Sequence, residues 1–247
     1  MERTHLTGPL PRVVVSCEHA SNAVPADLDL GVEPAVLASH VAWDPGAEPL
    51  ARALAAAHGT TPFLGEWTRL AADLNRPETS PAAIPTVAFG VAVPGNIGAD
   101  RGLRLERYHR PYWARVEAAV EAALELGGCI HVSVHSFDGD YLPDSPNGQV
   151  PRDFDLGLLY DPTLAEETRL AVRLERPLAA AGLRVRHNQP YAGVDEGLVQ
   201  TLRQRHASRP YIGIELELNQ ATVAARGRAD PKLIKGLLAV LKPPSGT

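Results

Sequence analysis

Two short apolar runs, each ending in a histidine, constrain the fold of this chain more than any other feature. The first is Val13-Val14-Val15, which Ser16-Cys17-Glu18-His19 follows, and the second spans residues 130–136 and contains His135. Runs rich in β-branched residues predict buried strands. Ligands and catalytic groups collect at the carboxyl ends of strands in an open α/β sheet. We therefore expect both histidines at one sheet edge, as metal ligands, acid/base groups or ordinary hydrogen-bonded side chains.

Helices and strands alternate along the rest of the chain. A helical period over residues 105–126 ends at Gly127-Gly128, which leads directly into the second histidine strand, and that order is typical of a parallel sheet. Residues 77–104 have no period and predict a long connection, which is usually functional or mobile. We predict one α/β domain over residues 1–247, with a mixed, mainly parallel sheet flanked by helices. Residues 243–247 are expected to form a disordered tail.

Composition restricts the classes of partner. The net charge of -5 argues against nucleic acid or an anionic membrane as the main partner. No segment approaches the roughly 20 apolar residues of a membrane span, and the N-terminus lacks the apolar run of a secretory signal. Only two cysteines occur, Cys17 and Cys129, which favours a reducing compartment. These features predict a cytoplasmic protein.

Glu215 and Glu217 lie two residues apart on a predicted strand, so they share one face of it. Two carboxylates on an apolar strand are costly to desolvate unless a cation or a proton compensates them. A metal site or a general base would meet that requirement, and pairing with Arg205 or Arg209 is the structural alternative. Two histidines and one carboxylate are also the ligand set of catalytic zinc.

Six segments in a fixed order resemble the N-formylglutamate amidohydrolase family, which is related in fold to zinc carboxypeptidases. They are SCEHASNAVP (16–25), HVAWDPGA (40–47), RLAADLNRP (69–77), HSF (135–137), NQPY (188–191) and IELE (214–217). The resemblance implies a zinc-carboxypeptidase-like fold and one Zn²⁺ ion. It also implies hydrolysis of a small N-acyl amino acid, with N-formyl-L-glutamate as the first candidate.

The resemblance implies His19 and His135 as two of the zinc ligands. Asp44 matches the family's acidic residue in the second segment, and Glu18 is its rival. We prefer Asp44, because adjacent strand residues point to opposite faces and Glu18 adjoins His19. The alternative for Asp44 is an N-cap, since Asp-Pro-Gly is a common helix start.

The third segment resembles the pair with which related carboxypeptidases hold a substrate carboxylate, here Asn75 and Arg76. The guanidinium fork of arginine matches a carboxylate with two parallel hydrogen bonds. Arg69 would hold a second carboxylate or the oxyanion, or else pair with Asp73 four residues on. Asn188 and Tyr191, from the fifth segment, are implied as further substrate-binding residues.

The last segment leaves the catalytic base open between Glu215 and Glu217. Many relatives have Glu-x-Arg there, which makes Glu215 the base and places an arginine where Glu217 stands. Other relatives carry Leu-Glu-Leu, which aligns better with Glu217. We prefer Glu215. A binding protein without turnover is the alternative function, and a thiol hydrolase using Cys17 is disfavoured by its spacing to His19.

Overall fold

Eight strands form two sheets in the computed structural model, which describes residues 12–139, 152–224 and 230–241. They are β1 (Arg12–Cys17), β2 (Phe63–Leu64), β3 (Val87–Ala88), β4 (Val91–Ala92), β5 (Cys129–Phe137), β6 (Leu156–Leu159), β7 (Val185–His187) and β8 (Tyr211–Asn219). The large sheet has the order β2-β1-β5-β8-β6-β7, and β3 and β4 form a separate hairpin. Only the β6–β8 pair in the large sheet is antiparallel among the described strands, so the predicted mixed, mainly parallel sheet is confirmed.

Helices cover both faces of the large sheet. They are α1 (Pro34–Leu37), α2 (Ala47–Ala57), α3 (Arg101–Arg104), α4 (Arg110–Glu125), α5 (Ala165–Ala180), α6 (Leu198–Arg205) and α7 (Pro231–Leu241). A π-helical stretch, Leu105–His109, joins α3 to α4, so the predicted helix over 105–126 begins earlier than its period suggests. No helix within the described ranges combines the length and hydropathy needed to cross a membrane.

The alternation of side chains along the strands separates two apolar layers. Val13, Val15, Val132 and Val134 point to the face that α2, α5 and α7 cover. Val14 points to the opposite face, where α4 and α6 pack. On that second face the strands become polar towards their carboxyl ends, because small or charged residues replace the apolar ones. The fold therefore provides a polar edge on an otherwise apolar sheet.

One alternative drawn from local pattern is wrong. Asp44 is not an N-cap, because α2 begins at Ala47 and the left-handed residue Gly46 (φ 84°) precedes it. The predicted long connection over residues 77–104 contains the β3–β4 hairpin, two short 3₁₀ turns and α3. The predicted tail at 243–247 lies outside the described residues.

Gly65 holds β2 close to β1 and to the residue that precedes His19. Its N–H donates to the carbonyl of Cys17 at 2.9 Å. A Cβ atom at Gly65 would lie 1.9 Å from the carbonyl oxygen of Glu18, which is backbone and cannot swing away. This glycine is therefore required by close approach of two backbone segments.

We expect Gly65→Ala to lower the free energy of unfolding by roughly 1–3 kcal/mol, because the two segments must separate. Gly59→Ala is the matched control: its φ is 66° and nothing lies within 4 Å of its added Cβ. That control should cost about 1 kcal/mol from backbone strain alone. Urea denaturation of both variants measures the difference, and a smaller loss for Gly65→Ala than for Gly59→Ala would refute this account.

Candidate active site

His19 and His135 lie side by side at the carboxyl edge of the sheet, with ring centroids 5.1 Å apart. Asp44 lies against both rings: its Oδ2 is 2.9 Å from Nδ1 of His135 and 3.5 Å from Nδ1 of His19. These three buried residues can each offer one ligand atom to a common metal ion, and the atoms lie within 4.8 Å of one another. The Nδ1 of His19 is buried without a hydrogen-bond partner in the described part of the chain. The donor set therefore fits a metal ion.

A carboxylate holds the other nitrogen of each histidine. Nε2 of His19 lies 2.7 Å from Oδ1 of Asp73, and Nε2 of His135 lies 3.0 Å from Oε2 of Glu18. Such a partner orients the ring, places the proton on Nε2 and leaves the lone pair of Nδ1 for a metal. Glu18 thus lies behind His135, whereas Asp44 lies on the side where the two Nδ1 atoms converge. The geometry favours Asp44 over Glu18 as the acidic ligand.

Burial and mutual interactions shift the pKa values of Glu18, His135 and His19. Burial would raise the pKa of Glu18, but its hydrogen bonds with His135 and Ser133 hold that pKa well below the usual range. Burial would lower the pKa of His135, but the hydrogen bond and charge of Glu18 raise it to about 9. Burial and the charge of Arg69 lower the pKa of His19 to about 4. Because the pKa of His135 is raised and that of His19 is lowered, metal binding at this site would depend on pH.

Glu215 and Glu217 are both buried, and they lie at different depths. Glu215 is level with Ser133 on β5, and its Oε2 is 3.9 Å from Nε2 of His135, the inward-facing nitrogen. Glu217 is level with His135 itself, nearer the open edge. Its Oε2 is buried without a hydrogen-bond partner among the described residues, and burial raises its pKa to about 7.

The described ion pairs do not include the alternative pairing of Glu215 or Glu217 with Arg205 or Arg209. Arg205 and Arg209 pair instead with carboxylates on α4, which are Glu117, Glu121 and Glu125. The two buried carboxyl groups lie instead among other positive charges: those of Arg203 and Arg76 act on Glu215, and those of Arg69 and Arg152 act on Glu217.

Arg69 pairs through its NH2 group with Asp44, a member of the candidate metal triad His19–Asp44–His135, in place of the predicted alternative pairing with Asp73. The guanidinium is buried, and its Nε has no hydrogen-bond partner within the described ranges. A buried, unpartnered donor of this kind is available to an oxygen atom of a ligand.

Asn75 and Arg76 lie against the first turn of α6. Oδ1 of Asn75 accepts a hydrogen bond from the N–H of Leu198 at 2.9 Å. The guanidinium of Arg76 donates through NH1 to the carbonyls of Asn75 and Glu196. These contacts fix both side chains, and the Arg76 charge acts on both Asp73 and Glu215. Arg76 therefore lies within electrostatic reach of the site.

The NQPY segment (residues 188–191) contains two residues with different roles. Oδ1 of Asn188 accepts hydrogen bonds from the N–H groups of Tyr160 (3.0 Å) and Gly193 (3.1 Å), so its side chain shapes the loop. Tyr191 reaches the site: burial raises the pKa of its hydroxyl, and the charge of Glu217 raises it further. Asn188 thus supports the loop that carries Tyr191.

A model of the family described as N-formylglutamate amidohydrolase matches residues 11–224. The chain belongs to the N-formylglutamate amidohydrolase family. No curated protein matches it. The predicted family is therefore confirmed, and with it the general class of amide hydrolase.

Two solved structures share the fold. The gene product Atu2144 from Agrobacterium tumefaciens superposes with a TM-score of 0.73 at 29% identity, over 94% of this chain and 88% of that one. The N-formylglutamate amidohydrolase from Ralstonia eutropha JMP134 superposes with a TM-score of 0.69 at 23% identity, over 95% and 93%. The second likeness shows the fold alone.

Several side chains around the site are not predicted from the sequence. Ser133 could have been found, because it lies two residues before His135 and shares its face; its hydroxyl donates to Glu18 at 2.5 Å. Tyr112 donates to the other oxygen of Glu18 from α4, at 3.1 Å. Arg152 lies close enough for its charge to act on Glu217 and Tyr191. No local pattern marks Tyr112 or Arg152.

We expect Glu18→Gln and Asp73→Asn each to weaken metal affinity by roughly 10- to 100-fold, because each removes a carboxylate that orients a histidine. Competition with a chromophoric chelator measures the affinity. Glu66→Gln is the control, since Glu66 is exposed and pairs with exposed Arg115. Unchanged affinity in the first two variants, with native circular dichroism, would show that the carboxylates do not act through the histidines.

Proposed function

We propose that this chain is a zinc-dependent amidohydrolase that cleaves a small N-acyl amino acid, with N-formyl-L-glutamate as the first candidate. The products would be formate and the free amino acid. The observation that carries the proposal is the convergence of two Nδ1 atoms and the Asp44 carboxylate at the sheet edge, with a carboxylate behind each histidine. Its membership of an amidohydrolase family supports the reaction class.

His19, His135 and Asp44 would hold the zinc ion, and three protein ligands leave the open position that catalytic zinc sites keep. Bound there, zinc would lower the pKa of a water molecule and polarise the amide carbonyl. The role of Asp73 and Glu18 would be to fix the orientation of the two rings.

We assign the general base to Glu217, which reverses the preference drawn from sequence. Glu217 lies at the level of His135 near the open edge, whereas Glu215 lies beside the inward nitrogen of that ring. A carboxyl group with a pKa of about 7 is well matched to proton transfer near neutral pH. Glu217 would take a proton from the attacking water and return it to the leaving amine.

Asn75 and Arg76 would bind the carboxylate of the amino acid. Asn75 is held by the N–H of Leu198 at the start of α6 and Arg76 by the carbonyl of Glu196 just before it, so little conformational freedom is lost when the substrate binds. The unpartnered Nε of Arg69 would donate to the oxygen of the carbonyl as negative charge develops on it. The amide carbonyl would thus lie between Arg69 and the metal triad.

The test is metal analysis of the purified protein together with amine release from N-formyl, N-acetyl and N-formimino amino acids. We expect about one zinc per chain, by analogy with catalytic zinc sites, and the fastest turnover with an N-formyl amino acid. Zinc and substrate binding without hydrolysis of any compound would favour a binding protein. Absence of bound zinc, with no gain in activity on its addition, would refute the metal assignment.

Glu217→Gln should retain bound zinc and lose at least about 100-fold in kcat, because a general base is removed and no ligand is lost. Glu215→Gln serves as the matched comparison, since it is the same change two residues away on the same face. It should affect kcat less. If the two phenotypes are exchanged, Glu215 is the base.

Arg76→Lys should raise KM about tenfold or more for a carboxylate substrate, because a point charge replaces the bidentate fork. Arg110→Lys is the control, since Arg110 is exposed and pairs only with exposed Glu78 among its described contacts. Steady-state kinetics on both variants measure the effect. An unchanged KM and kcat for Arg76→Lys would remove Arg76 from substrate recognition.

A further inference from the structure

His109 and Trp113 form a buried pair of stacked rings, here called the stacked pair, which the proposed mechanism does not use. His109 ends the π-helical stretch and Trp113 lies four residues on in α4, so the two side chains share one face of the helix. Their ring centroids are 5.1 Å apart, with 20° between the ring planes. His109 is 2% exposed and Trp113 is 6% exposed. Polar rings buried to this extent are expected to have hydrogen-bond partners.

Both rings donate to the segment that contains Asn75 and Arg76. Nε1 of Trp113 donates to the carbonyl of Leu74 at 2.9 Å, and Nε2 of His109 donates to the carbonyl of Arg76 at 2.7 Å. One of these carbonyls belongs to the peptide before Asn75, and the other belongs to the peptide after Arg76. One helix face therefore holds the backbone at both ends of the Asn75-Arg76 dipeptide.

The His109 ring is a neutral donor with a fixed direction. A carbonyl oxygen only accepts hydrogen bonds, so Nε2 of His109 carries the proton. Burial lowers the pKa of His109, although its hydrogen bond to Arg76 and the charges of Asp73 and Glu78 oppose that shift. Nδ1 is buried without a hydrogen-bond partner among the described residues, which fits a ring that carries one proton only.

The two bonds from the stacked pair complete the hydrogen bonding of one backbone segment, residues 73–76. The carbonyl of Asp73 accepts from the N–H of Arg76, and the carbonyl of Asn75 accepts from the Arg76 guanidinium. The other two carbonyls of the segment accept from the stacked pair. Each of the four carbonyls thus has a donor, and the segment is held from outside only where the two rings reach it.

The stacked pair begins at an irregular turn of the helix. The N–H of Arg110 bonds to the carbonyl of Leu105, five residues back, which is the π-helical pattern. Pro111 follows and has no N–H with which to continue a regular ladder there. Single π-helical turns inside α-helices are frequent at functional sites. Here the turn ends at His109, the residue that bonds to the carbonyl of Arg76.

We propose that His109 and Trp113 are positioning residues for substrate recognition, which hold the backbone of Asn75 and Arg76 so that both side chains meet the substrate carboxylate in one geometry. The inference rests on the proposed function, in which Asn75 and Arg76 bind that carboxylate. Bidentate contact between a guanidinium and a carboxylate requires placement to within roughly 0.5 Å. A backbone that moves more freely would therefore weaken substrate binding.

The test is steady-state kinetics of zinc-loaded Trp113→Phe, His109→Gln and His109→Ala with N-formyl-L-glutamate, together with the zinc content of each protein. Phenylalanine keeps an aromatic ring without a donor, glutamine supplies an amide N–H, and alanine removes both ring and donor. Trp67→Phe is the matched control. Trp67 packs edge-on against Tyr108 at 6.4 Å, and its indole N–H takes part in no hydrogen bond among the described residues.

We expect Trp113→Phe and His109→Ala to raise KM about 3- to 10-fold, the range expected when one neutral hydrogen bond is lost. Their kcat and zinc content should stay at the wild-type level, because neither ring contacts a proposed zinc ligand in the described part of the chain. His109→Gln should recover most of the loss, and Trp67→Phe should match wild type. A fall in kcat with unchanged KM would indicate a smaller folded fraction and would overturn the inference.

A double-mutant cycle with Arg76→Lys separates this inference from the proposed function. If the stacked pair acts through Arg76, then Trp113→Phe should raise KM little further in the Arg76→Lys background. Additive losses would overturn the inference. A raised KM in Arg76→Lys with an unchanged KM in Trp113→Phe and His109→Ala would also overturn it and leave the proposed function standing. Absence of hydrolysis by wild type would refute the proposed function itself.

Discussion

The buried contact between the Glu18 carboxylate and the His135 ring is the interaction on which the site depends. Glu18 is completely buried at the end of β1, and a carboxylate there without a partner would destabilise the fold by about 3–5 kcal/mol. The pair ties β1 to β5, and Ser133 and Tyr112 supply the remaining hydrogen bonds to Glu18. Because these contacts lie behind the ring, they orient His135 whether or not a metal is bound.

The parallel register of the central strands brings further polar residues next to this contact. Ser16 is level with Ser133, and Ser133 is level with Glu215. Polar residues at corresponding positions of three neighbouring strands therefore meet at one edge and one depth. Asp44 joins them from the loop before α2, held by hydrogen bonds from its N–H to His19 and from Ser136 to its carboxylate. Residues far apart in sequence are brought together mainly by backbone contacts.

The ends of the strands could be predicted from sequence, because hydrophobicity changes to polarity within a few residues. This change predicts His19 and His135 at one edge of the sheet. Asp44 is predicted only through the family resemblance, since Asp-Pro-Gly is adequately explained as a helix start. Glu215 and Glu217 cannot be distinguished by pattern, because they share one face and differ only in depth relative to β5. Tyr112 and Trp113 act through contacts between distant segments, on which local pattern gives no information.

The antiparallel direction of β6 changes which segments of the chain lie at the mouth of the site. In a wholly parallel sheet, only segments that leave strands lie at the carboxyl edge, and the chain must cross back through a helix before the next strand. Here β5 ends at that edge and β6 starts there, since Leu156 is paired with Leu218 at the end of β8. The connection between them therefore begins and ends beside the site, as the 2.6 Å hydrogen bond from Arg152 to the carbonyl of Asp138 illustrates. Residues at the end of β5 and at the start of β6 therefore lie at the same edge of the sheet, and substitutions there would change the surroundings of the site while the pairing of the strands stays the same.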